Sequence, residues 1–135
     1  MSESLERVRQ IPLFAELEDP VLAKVAEVCS GFEVPAGHVL VEHAQPGSGM
    51  FCITEGTVVV ELPTGPVELG PGEFVGELAI LADGVMRVAR VRAVTPVKGL
   101  AIGRAAFAEL LRDEPRVAVG MLPVLARRLA EAESP

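Results

Sequence analysis

From Phe32 onward the chain is cut into short β-branched runs by turn residues at nearly even intervals. The runs fall at 39–43, 50–55, 57–62, 66–69 and 73–76. The breaks are Pro35-Ala36-Gly37, Gln45-Pro46-Gly47, Glu55-Gly56, Pro63-Thr64-Gly65 and Gly70-Pro71-Gly72. Proline removes a backbone donor and glycine weakens any regular element, so each break ends a strand rather than interrupting one. Short strands at such spacing predict a β-sandwich or barrel. Two further strands are predicted at about 88–95 and 97–102.

Helical signals flank this region. Residues 3–10 form a weak amphipathic pattern with Leu5 and Val8 on one side, and Ile11-Pro12-Leu13-Phe14 ends it as an apolar plug. Asp19-Pro20 reads as a helix cap and first-turn proline. Leu22, Val25, Ala26 and Cys29 then share a face, and Gly31 is expected to close the helix. Packing is the expected role of this segment. Near the other end, Phe107, Leu110 and Leu111 mark a short helix, and Asp113-Glu114-Pro115 separates it from a second. Residues 116–133 place Val117, Met121, Leu125, Leu129 and Ala132 along one side, a candidate dimer seam or a packing face. Gly120 and Pro123 predict a kink or break between Val119 and Pro123.

One domain over 1–135 is expected, with helices in 1–31, a β-region in 32–103 and helices in 104–135. The chain has no Trp or Tyr, so its core is aliphatic. Its formal charge of −7 argues against a nucleic-acid partner, which needs a basic face. Cys29 and Cys52 lie in separate elements with no metal-ligand spacing, which suits a reducing, cytoplasmic setting. No secretory leader and no bilayer-spanning stretch is read. Catalysis is not expected: His38 and His43 form no His-x-His pair, and no nucleophile set stands out.

The stretch Phe74 to Val91 carries the chemistry. It runs from a strand end through Gly76 into a short apolar turn, Glu77-Leu78-Ala79-Ile80-Leu81, which Asp83-Gly84 breaks; Arg87 heads the next strand. A glycine ahead of a helical turn lets a ligand approach the backbone, and the free amides there favour an anion. An arginine adds a planar fork for phosphate oxygens. Glu77 would repel phosphate unless it holds a neutral part of the ligand, so the stretch reads as a cradle for a group that is part anion and part diol. Strand alternation places Ala89, Val91 and Ala93 on the interior face with Arg87, and Arg90 and Arg92 outside as solvated charges. An internal Arg87–Glu77 pair is the alternative to a bound anion.

This pattern resembles the phosphate-binding cassette of cyclic nucleotide-binding domains, of the catabolite activator protein and protein kinase A regulatory subunit type. Phe74, Gly76, Glu77, Leu78, Ala79, Arg87 and Ala89 match it, as do Leu13-Phe14, Val34-Pro35-Ala36-Gly37 and Phe51-Cys52-Ile53-Thr54-Glu55-Gly56 elsewhere. The resemblance implies a mainly β fold with flanking α: an eight-stranded jelly-roll (double-stranded β-helix) barrel with N-terminal and C-terminal helices, the cassette spanning 74–88. It implies that Glu77 takes the ribose 2′-hydroxyl, that Arg87 takes the cyclic phosphate and that amides from Gly76 to Ala79 complete the cradle. It also implies a stand-alone bacterial sensor for cyclic AMP or cyclic GMP, with no cofactor, signalling through an effector protein or a homodimer built on helix 116–133.

Several positions depart from the family pattern, among them Ala44, where many members have glycine before a Pro-Gly turn. Val88 stands where Ser, Thr or Ala is usual, and Arg90 stands where many members carry Thr. Ala132 and Glu133 occupy the positions at which some members read the purine with Thr or Ser. These departures motivate a second reading, a scaffold or dimerisation module that takes no ligand.

Overall fold

The computed structural model describes residues 3–41, 49–63, 65–76 and 90–133. Among the described residues, eight short strands lie between two pairs of helices. They are α1 (Glu3–Arg9), α2 (Asp19–Val28), β1 (Cys29–Val34), β2 (Val39–Val41), β3 (Gly49–Glu55), β4 (Val58–Leu62), β5 (Gly65–Leu69), β6 (Phe74–Val75), β7 (Arg90–Ala93), β8 (Val97–Gly103), α3 (Arg104–Asp113) and α4 (Pro115–Glu133). The strands make two four-stranded sheets, ordered β1-β8-β3-β6 and β2-β7-β4-β5. All pairings are antiparallel.

The first sheet is buried on both faces. Met50, Cys52, Phe74, Leu100 and Ile102 point into one cluster with Phe14, Leu22, Val25, Phe107, Val117 and Met121 of the helical segments. Ile53, Val75 and Val97 point the other way and meet Val41, Val58, Val91 and Ala93 of the second sheet. The layers are therefore helices, sheet, sheet. This explains why β3 reads as almost continuously apolar rather than alternating.

Several expectations are corrected. The second helix starts one residue earlier than its sequence cap: Glu18 is the N-cap and makes no side-chain cap bond, while Asp19 sits in the first turn and pairs with Arg9. It ends at Val28, not Gly31. Cys29 to Gly31 instead open β1, a strand that the periodicity did not reveal. Its sequence, Cys-Ser-Gly-Phe-Glu-Val, has only one β-branched residue. Pairing along its full length with Val97–Ile102 supplies what local preference lacks.

Helix α4 is not broken at Pro123; it runs from Pro115 to Glu133. The carbonyl that Pro123 leaves without its usual donor belongs to Val119, and Val119 lies on the exposed side, where water can satisfy it. Arg92 is not a plain solvated charge, since its Nε lies 3.5 Å from Glu61 Oε1 across the β4–β7 pair. Val91 and Ala93 are buried, as alternation required.

Candidate functional site

The stretch read as the cassette, 74–88, opens with β6. Phe74 and Val75 pair with Cys52 and Phe51 of β3 and are both buried. Upstream, Gly70–Glu73 forms a tight turn tied to β3: Gly72 donates to the Ile53 carbonyl at 2.8 Å, and Ile53 donates to the Glu73 carbonyl at 2.9 Å. Gly76 follows with φ at +89°, a left-handed conformation that side-chain-bearing residues rarely take. The chain thus turns sharply, with no Cβ, immediately before Glu77-Leu78-Ala79. It rejoins the described structure at Arg90, in the other sheet.

Of the predicted site residues, Phe74 and Gly76 are described. Glu77, Leu78, Ala79, Arg87, Val88 and Ala89 lie outside the described residues. His43 does too, while His38 is exposed after the turn at Ala36-Gly37. Among the described residues no group of His, Cys, Asp or Glu side chains could hold a metal ion, and no helix is long and apolar enough to cross a membrane.

Sequence reasoning missed one residue beside this site. Arg128 of α4 reaches back to β6. Its Nη2 donates to the Phe74 carbonyl at 2.7 Å and lies 3.3 Å from Glu73 Oε2. Its guanidinium carbon stands 4.7 Å from the centre of the Phe74 ring, within cation–π range. The available signal was periodicity. Val117, Met121 and Val124 form the inward stripe of α4, and Arg128 is the next position on it. A charged residue on an apolar stripe needs a partner.

The predicted seam of α4 is also repartitioned. Val117 and Met121 are fully buried in the chain's own core, and Leu125 packs partly against it. Leu129 is instead exposed, together with Val119 and Leu122. Ala132 and Glu133 fall in the last turn.

Away from this stretch, a concavity is lined by Arg7, Val8, Ala26, Cys29, Gly31 and Leu100. Burial pushes the Cys29 thiol up to about 11, against the opposing pull of Arg7. Such a thiol stays protonated at neutral pH and is a poor nucleophile or metal ligand.

Comparison with known proteins fits the geometry around Gly76. Residues 32–114 match the family model of the cyclic nucleotide-binding domain. The chain is 40% identical over 111 residues to a cyclic nucleotide-gated potassium channel of Mesorhizobium japonicum, covering 82% of this chain and 31% of the channel. Among solved structures, the Thermus thermophilus catabolite activator protein superposes with a TM-score of 0.75 at 30% identity, over 90% of this chain and 60% of that one. The regulatory subunit of a cAMP-independent protein kinase A from Trypanosoma brucei gives 0.75 at 26%, over 93% and 46%. The two-sheet architecture with flanking helices is consistent with the jelly-roll of those proteins. With the matched region running from Phe32 through the Gly76 turn and both sheets to Glu114, the chain belongs to the cyclic nucleotide-binding domain family.

Proposed function

We propose that this chain is a cyclic nucleotide-binding regulatory module, taking cyclic AMP or cyclic GMP in the loop that follows Gly76. In this reading the two sheets close as a jelly-roll barrel around the ligand. Glu77 accepts the ribose 2′-hydroxyl, Arg87 holds the cyclic phosphate, and the amides from Gly76 to Ala79 complete the cradle beside Phe74, Val88 and Ala89. The observation that carries it is the left-handed Gly76 at the end of a buried strand, directly ahead of Glu77-Leu78-Ala79. A residue with no Cβ at that corner is what close approach of a phosphate to main-chain amides requires.

Binding acts on output only through different affinities for two arrangements of the terminal helices. The output is a partner protein or a second copy of the chain. The second copy is favoured by the outer face of α4, where Val119, Leu122, Ala126 and Leu129 follow a three-four-three spacing suited to a paired helix. No catalytic step is proposed. Cys29 and Cys52 lie in separate strands, which suits a reducing, cytoplasmic setting.

The test is calorimetric titration with cyclic AMP and cyclic GMP. A charge-assisted bond contributes about 1.5–3 kcal/mol, so Arg87→Ala is expected to weaken binding by about tenfold to a hundredfold. Arg90→Ala and Arg92→Ala are expected to change little. Unchanged affinity in Arg87→Ala rejects its role. Absence of heat with both nucleotides at millimolar concentration favours the second reading, a ligand-free scaffold. Val88 and Arg90 motivate that reading, and so does a structural relative described as cAMP-independent.

A further inference from the structure

Among the described residues, the outer half of α4 makes few apolar contacts: beyond Met121, Val124 and Leu125 pack partly against the core, while Leu122 and Leu129 stay about three-fifths exposed at 62% and 61%. Segments with so few buried contacts open locally at small cost. At this weakly held end Arg128 makes three contacts with one site: a bond to the Phe74 carbonyl, an ion pair with Glu73, and a guanidinium set against the Phe74 ring.

The strand it grips is itself short. β6 has two residues, so its ladder to β3 is brief, and the Phe74 carbonyl lies two positions before Gly76. The charge-assisted bond from Arg128 joins the helix end directly to the peptide entering the turn, beside the backbone bonds that tie Gly72 and Glu73 to Ile53. The chemistry is specific to arginine. A planar guanidinium can lie against a ring while its N–H groups reach a carbonyl and a carboxylate; a lysine ammonium has no such plane.

We propose that Arg128 is a positioning residue that clasps the end of α4 onto the strand entering the cassette. It couples helix docking to occupancy of the loop after Gly76 without touching the ligand. The coupling part rests on the nucleotide-binding reading above; the clasp itself does not. Linkage is reciprocal: the factor by which bound nucleotide favours the clasped helix is the factor by which the clasp favours nucleotide.

Hydrogen exchange of the full chain tests this, read at amides 124–131 in the wild type, Arg128→Gln, Arg128→Lys and Phe74→Leu, alongside titration with cyclic AMP and cyclic GMP. Exchange at 124–131 is expected to speed up by about tenfold to a hundredfold in Arg128→Gln, the range of one charge-assisted bond. Arg128→Lys and Phe74→Leu should fall between, β3 and β8 should exchange as before, and nucleotide affinity should fall in the same order. Unchanged exchange in Arg128→Gln overturns the clasp. Lost affinity with unchanged exchange makes Arg128 a direct ligand contact and overturns it equally. Faster exchange with full affinity overturns the coupling. If the wild type takes up neither nucleotide, the binding reading and the coupling fall together, and the exchange arm alone decides the clasp.

Discussion

At Gly76 a single backbone angle determines whether the cassette can begin. A Cβ at a left-handed position costs about 1–2 kcal/mol, and φ there is +89°. Gly76→Ala is expected to lower the melting temperature by several degrees and to weaken nucleotide binding about tenfold, because relaxing the angle re-aims the amides that follow. Circular dichroism melting and calorimetry measure the two effects separately; a lower melting temperature with intact binding would make the glycine a turn former only. Cys29 illustrates the opposite case, a reactive residue type made inert by its surroundings. Its thiol is raised from the ordinary 9.0 to about 11, so the folded state keeps a proton that the unfolded chain has lost. That contribution to stability is complete below pH 9.0 and disappears as the pH rises through about 11.

Among the elements, β8 shows how one position can set the assembly of three strands. Gly99 faces Phe32 of β1 and Ile53 of β3. A Cβ there would stand 2.1 Å from the Cys52 carbonyl oxygen and 2.8 Å from the Phe32 ring. Gly99→Val is expected to cost about 3 kcal/mol or more, since backbone and an aromatic ring must both yield. A denaturant melt checks this; a loss under 1 kcal/mol, the level of an ordinary surface change, would mean that the strands part easily. The same element shows what can be read in advance. Runs such as Val58–Leu62 announce themselves by β-branched content between turns, and they became strands. β1 does not, because its partner lies more than sixty residues along the chain and the pairing, not the local sequence, makes it a strand. Of the cassette read from Gly, Glu and Arg at fixed spacing, the described residues reach Phe74 and Gly76, and the left-handed Gly76 was legible because a turn of that kind is local backbone chemistry. Arg128 was not, because its significance depends on how α4 lies over β6, a relation that only tertiary packing sets.

The whole molecule is strongly acidic, and among the described residues the most exposed large apolar side chains, Val119, Leu122 and Leu129, share one helix, while Val67 and Val94 lie elsewhere and are less exposed. In the paired-helix reading, Leu122→Lys with Leu129→Lys is expected to convert a dimer to a monomer in sedimentation, with little change in the melting of the monomer, because both side chains are mostly exposed. A wild type that sediments as a monomer at high concentration would remove the paired-helix output. Inside the molecule, the layering has its own consequence at β6. Phe74 belongs to the helix-side cluster and its neighbour Val75 to the cluster between the sheets. Like Cys52 and Ile53 of β3, these two adjacent residues tie the two compartments together, and a rotation of this short strand displaces both at once. Spectroscopic reporters placed in either compartment should therefore register any movement of the cassette entrance with one common midpoint.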